Sequence, residues 1–109
     1  MKVLGLTVAL LLVACGGDQG STAPVRTDRV DLPKSYRFEP AQIEIDAGTT
    51  VTWTNNDDFP HNVHLLDGSD RTVDLPLGGT GRLTFDQPGT IQYECSLHPQ
   101  QMQGTIHVR

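Results

Sequence analysis

The chain has 109 residues, with 8 Lys and Arg against 13 Asp and Glu, and a formal charge of −5. That length suits one domain. The acidic balance argues against nucleic-acid binding, since little would neutralise phosphates, and is compatible with brief docking to basic partners. Residues 1–14 carry a single charge, Lys2, ahead of an apolar run from Val3 to Ala14. The run is too short to span a bilayer, which takes roughly 20 apolar residues, and its place behind a lysine reads as a secretory signal.

The end of that run, Leu12-Val13-Ala14-Cys15, resembles the lipobox of bacterial lipoproteins. The resemblance implies that Cys15 is lipidated and becomes the first residue of an exported chain. That chain would be anchored to a bacterial membrane and face the periplasm or the cell exterior. Several acyl chains on one residue anchor stably where one is marginal. Removing residues 1–14 takes away one lysine and no acid, which moves the formal charge from −5 to −6. Residues 15–27 then open on small, polar, glycine-rich sequence from Gly16 to Pro24, which buries little apolar surface and reads as a flexible tether. Residues 28–109 are left for the folded domain, a small but viable core.

From there the pattern is of strands. Residues 42–45 alternate, with Ile43 and Ile45 on one face. Residues 49–55 alternate again, with Val51 and Trp53 facing inward and the threonines outward. His61, Val63 and Leu65 share a parity that turns His61 inward and His64 outward. Residues 82–86 put Leu83 and Phe85 together, and residues 90–95 put Ile91, Tyr93 and Cys95 together. Residues 105–109 pair Ile106 with Val108 and turn His107 outward. These are period-two patterns. Gly, Pro, Asn and Asp clusters separate them, including Asn55-Asn56-Asp57-Asp58, where both aspartates read as turn chemistry. The spacing predicts an all-β, antiparallel Greek-key sandwich, and no stretch shows sustained helical periodicity.

The cysteine count sharpens the problem. With Cys15 lipidated, Cys95 is the one thiol left in an exported chain. Such a thiol is buried and inert, paired between molecules, or held by a metal. The segment Tyr93-Glu94-Cys95-Ser96-Leu97-His98-Pro99-Gln100-Gln101-Met102 packs a thiolate, an imidazole and a thioether into one loop. Soft sulfur with imidazole suits copper in both oxidation states, and two His, one Cys and a weak axial Met is the recurring blue-copper set. The second imidazole must come from elsewhere, and His61 is the candidate. Zinc fits less well, because it prefers four strong ligands, thioether sulfur is a poor fourth and no other cysteine is available. A binuclear centre needs a second thiolate, which the loop lacks.

Three segments carry a family resemblance: residues 47–57 before the first histidine, Phe59-Pro60-His61-Asn62-Val63 around it, and residues 85–95 leading into the cysteine. Together they make the stretch from Ser35 to Arg109 similar to the plastocyanin, amicyanin and azurin family. The resemblance implies one copper, with His61, Cys95 and His98 as equatorial ligands, Met102 axial and the Pro60 carbonyl on the opposite side. It also implies that Asn62 and Ser96 tie the two ligand loops together. Phe59, Pro60, Leu97 and Pro99 would form an apolar rim where His98 reaches the surface. One departure is plain: two residues separate Cys95 from His98, as in plastocyanin, but three separate His98 from Met102, as in azurin.

The implied function is one-electron transport between redox protein partners outside the cytoplasm, by a monomer. A copper-binding module for storage, delivery or sensing is the alternative. Catalysis is not expected, because the sequence offers no nucleophile–base pair and no second domain to build a substrate pocket.

Overall fold

The structure is a computed structural model that describes residues 23–109. The expected signal segment, Cys15 and most of the tether lie outside the described residues. The alternating segments become strands, nine among the described residues: β1 (Val25–Arg26), β2 (Arg29–Leu32), β3 (Gln42–Ile45), β4 (Thr49–Asn55), β5 (His61–Leu65), β6 (Thr72–Leu75), β7 (Thr80–Phe85), β8 (Gly89–Glu94) and β9 (Gln103–Val108). No helix occurs among these residues. In β4 the period-two pattern is followed closely: Val51, Trp53 and Asn55 are buried, and the threonines between them face outward.

Two sheets face each other. One has the order β1-β3-β9-β8-β5-β6 and the other β2-β4-β7. Their inner faces meet in one core of aliphatic and aromatic side chains, with Trp53 against Tyr93 at 5.5 Å and Phe38 against Tyr93 at 4.8 Å between ring centroids. Edge-to-face contacts of this kind are favourable beyond the area they bury. Gly104 pairs with Tyr93 across β8 and β9. A Cβ there would overlap the tyrosine ring, so only glycine leaves it room.

The sheets are mixed, which corrects the expectation of an antiparallel sandwich. The β1–β3, β3–β9 and β2–β4 pairs are parallel; β4–β7, β5–β6, β5–β8 and β8–β9 are antiparallel. The cause is connectivity. The chain passes from one sheet to the other between β2 and β3, and again between β3 and β4. In-sheet neighbours are then distant in sequence, and the hairpin constraint that enforces antiparallel pairing is lifted. β1 falls within the segment expected to be tether, because its backbone completes the edge of the larger sheet against β3. β9 also begins two residues earlier than its apolar pattern, since Gln103 and Gly104 pair with Glu94 and Tyr93.

This topology positions the site. β5 and β8 are directly paired only at His64–Glu94 and Leu65–Tyr93. Beyond that point the start of β5 and the end of β8 run on toward one end of the sandwich, carrying His61 and Cys95.

Candidate metal centre

Cys95 follows β8 in the inward phase of Tyr93 and is fully buried. His61 opens β5 and is 2% exposed. His98 stands three residues past the cysteine and is half-buried. The Cys95 Sγ lies 3.7 Å from Nδ1 of His61 and 3.9 Å from Nδ1 of His98. One donor atom from each of the three residues lies within 4.8 Å of the others. The structure therefore brings together the thiol and both imidazoles singled out in the sequence.

These separations can be tested against a metal. Bonds of about 2.3 Å to sulfur and about 2.0 Å to nitrogen, the zinc values for a first-row ion, put the two donors about 3.7 Å apart at a trigonal angle. The observed edges match that triangle. A thiolate and two imidazoles are also the donors that copper accepts as either Cu(I) or Cu(II). The residues fit the group.

The loop between β8 and β9 is closed by its own backbone. The amide of His98 donates to the Cys95 carbonyl at 3.0 Å, Met102 to the His98 carbonyl at 3.0 Å, and Cys95 to the Met102 carbonyl at 3.1 Å. Met102 is fully buried. It is thus pinned by its main chain to both Cys95 and His98.

Asn62 and Ser96 join the segments that carry His61 and Cys95, as the resemblance implies. Asn62 Nδ2 donates to Ser96 Oγ and the Ser96 amide donates to Asn62 Oδ1, both at 2.8 Å. This reciprocal pair takes over where the β5–β8 ladder stops.

Asp57 is a residue of the site that sequence reasoning does not find. Its sequence neighbours Asn55, Asn56 and Asp58 read as turn chemistry, but its side chain is buried and accepts a hydrogen bond from His61 Nε2 at 2.8 Å. With Nε2–H donated to the carboxylate, Nδ1 keeps its lone pair and points at Cys95, the tautomer a metal ligand needs. Burial alone would raise the Asp57 pKa. The hydrogen bonds from His61 and from the backbone amide of Asp58 outweigh it and hold the carboxyl below its usual range. Asn55 shapes the loop that carries Asp57. Its Nδ2 donates to the carbonyls of Phe59 and Leu75 at 2.9 Å, and its Oδ1 accepts from the Asp57 amide at 2.9 Å.

The other histidines lie outside the cluster. His64 faces away, half-buried, with Nδ1 3.4 Å from Glu94 and Nε2 3.2 Å from Asp70. Hydrogen bonds to Asp70 and then Glu94 raise its pKa. His107 Nε2 donates to Gln42 Oε1 at 3.0 Å. At the surface Phe59 and Leu97 are 47% and 55% exposed, and Pro60 and Pro99 are exposed beside them. Leu97 and Pro99 flank His98 in the chain, and Phe59 stacks on Tyr36, whose ring packs on His98, so the residues expected to form an apolar rim are exposed on the site's side of the fold.

Comparison with known proteins agrees with this geometry. The sequence profile of copper binding proteins, plastocyanin/azurin family, matches residues 29–109. Amicyanin-alpha of Methylorubrum extorquens is 37% identical over 82 residues, covering 71% of this chain and 68% of that protein. Amicyanin of Paracoccus denitrificans is 35% identical over 75 residues, covering 64% of this chain and 56% of that protein. A purple cupredoxin of Nitrosopumilus maritimus superposes with a TM-score of 0.66 at 29% identity, covering 76% of this chain and 100% of the other. With a matching profile over nearly all of the folded residues and a donor triangle of the right chemistry and size, this chain belongs to the plastocyanin/azurin family of copper-binding proteins.

Proposed function

We propose that the protein is a type I (blue) copper protein that carries single electrons between redox protein partners outside the cytoplasm. His61, Cys95, His98 and Met102 are the residues that would hold one copper ion. The observation that carries this reading is the triangle of Cys95 Sγ and two Nδ1 atoms, with the thiol fully buried. Copper supplies a one-electron Cu(I)/Cu(II) couple when bound. The chain supplies a donor set that both states accept and that two hydrogen-bonded loops hold in place, so little rearranges when an electron moves. The half-buried edge of His98, with Phe59 and Leu97 beside it, gives a partner a small apolar surface for brief docking.

Export and lipid anchoring through Cys15 belong to the same reading and are supported by the lipobox-like residues 12–15. Membrane fractionation of cells expressing the parent and Cys15→Ser checks them: the variant leaves the membrane fraction.

The test of function begins by adding Cu(II) to the purified protein and recording visible and paramagnetic resonance spectra. The expected result is one copper per chain, an intense thiolate-to-copper band and a narrow copper hyperfine splitting. A weakly coloured, tetragonal spectrum overturns the assignment. Electron self-exchange and copper loss to a chelator then separate the two functions. Fast exchange with slow loss supports the carrier. Rapid surrender of copper supports storage, delivery or sensing.

A further inference from the structure

Tyr36 lies outside the donor set, and no sequence pattern marks it. Its ring centroid is 4.7 Å from that of His98, edge to face at 64°, and 5.8 Å from that of His61 at 77°. On its other side it stacks on Phe59 at 5.3 Å and 19°. One side chain therefore packs against both imidazoles and a residue of the apolar rim.

The backbone that puts it there is unfavourable. Ser35 and Tyr36 have φ of 92° and 59°, and neither is glycine. Two successive left-handed residues persist only where their surroundings over-determine them, and such strain collects at functional sites. Here Arg37 Nη1 closes the turn onto the Lys34 carbonyl at 3.1 Å. The turn is thus tied to the site through the Tyr36 ring.

His98 is the donor that most needs such support. It sits on a loop and is half-buried, whereas Cys95 and His61 are buried beside paired strands. An imidazole turns easily about its last side-chain bond, since that torsion has broad, roughly two-fold minima. A ring packed edge to face with it at 4.7 Å removes that freedom and keeps competing ligands away.

We propose that Tyr36 is a positioning residue for the copper centre: its ring fixes the His98 imidazole and, with Phe59, shields it, so that bound copper is lost slowly. The inference rests on the copper reading above, and it depends on the aromatic ring and not on the hydroxyl.

The test compares the parent with Tyr36→Phe, Tyr36→Ala and Tyr36→Leu. Copper(I)-loaded protein is mixed with an excess of a Cu(I) chelator, and the release rate is followed. Release from Tyr36→Ala is expected about tenfold faster than from the parent, with Tyr36→Phe within twofold of the parent. A change below threefold in a folded, blue Tyr36→Ala overturns the proposal, as does a Tyr36→Phe variant that releases copper as fast as Tyr36→Ala. Tyr36→Leu, which keeps apolar bulk without a ring, is read by the same threshold should the alanine variant unfold. The second readout needs no copper. In the metal-free protein the ring resonances of His98 are expected sharp in the parent and Tyr36→Phe and broadened in Tyr36→Ala. Unchanged line widths overturn the positioning role. If the parent takes up no copper, the function proposed above fails, while the resonance measurement still decides what Tyr36 does.

Discussion

Truncating Asp57 isolates how much copper affinity comes from a carboxylate outside the donor set. In the parent, His61 Nε2 donates to Asp57 Oδ2 at 2.8 Å, with the two side chains 0% and 3% exposed. Asp57→Ala leaves a buried N–H without an acceptor, which costs about 1–3 kcal/mol. At about 1.4 kcal/mol per tenfold, that is roughly 5- to 150-fold in an equilibrium constant. The range brackets the 10- to 100-fold typical when a histidine ligand loses its outer partner. Competition for copper against a chelator of known affinity measures it. The expected result is binding weakened about 10- to 100-fold in Asp57→Ala, with a smaller loss in Asp57→Asn, whose amide oxygen still accepts from Nε2–H. The reduction potential rises in both variants, because a nearby negative charge favours Cu(II) over Cu(I). A folded Asp57→Ala that binds copper within twofold of the parent refutes the reasoning and reduces the carboxylate to a cap on the Asp58 amide.

Other substitutions probe the donors and the frame. Cys95→Ser abolishes the intense visible band of the oxidised protein, and an unchanged spectrum removes the thiolate from the site. Met102→Leu keeps the colour and costs under about 1.5 kcal/mol of stability, as volume-conserving swaps do; its potential rises, and a potential equal to the parent's makes the axial assignment wrong. Gly104→Ala forces a Cβ onto the Tyr93 ring. It is expected to cost about 1–3 kcal/mol, or upward of about 4 °C in melting temperature, and an unaltered melting curve contradicts the packing. His64 has its pKa raised above the ordinary 6.5 by Asp70 and Glu94. Its contribution to stability is therefore complete below pH 6.5 and is lost as pH climbs through the raised value. Denaturation of His64→Gln on either side of that window tests this: the stability gap from the parent narrows at high pH, and a gap independent of pH assigns the dependence to other groups.

The donor set was legible because strand phase and loop spacing are both written in residue type. Cys95 continues the inward parity of Ile91 and Tyr93, and His61 shares a face with Val63 and Leu65. The Asn62–Ser96 clasp came from family likeness, as hydrogen bonds between segments 34 residues apart leave no local mark. Asp57 was illegible for a physical reason. A carboxylate among Asn55, Asn56 and Asp58 reads as turn chemistry whether it faces solvent or a buried imidazole. Only the fold of the loop around Asn55 turns it inward. Tyr36 was missed because a left-handed turn built without glycine has no compositional signature. The parallel pairings escaped as well, because a two-residue strand such as β1 has no period to read and register across a crossover is set by tertiary packing.

Four main-chain bonds inside residues 95–102, the fourth from the Gln101 amide to the His98 carbonyl at 3.2 Å, make that stretch a compact cassette. Its ends are spliced onto β8 and β9, and between them its backbone is closed on itself while Ser96 and His98 make its contacts to the rest of the fold. Exchange of residues 99–102, by insertion or replacement, is expected to change the place of the Met102 side chain while the sheet beneath keeps its register. The pairing of one relative's cysteine-to-histidine interval with another's histidine-to-methionine interval is the outcome such modularity allows. It offers a route to retuning this protein's redox behaviour without redesigning its scaffold.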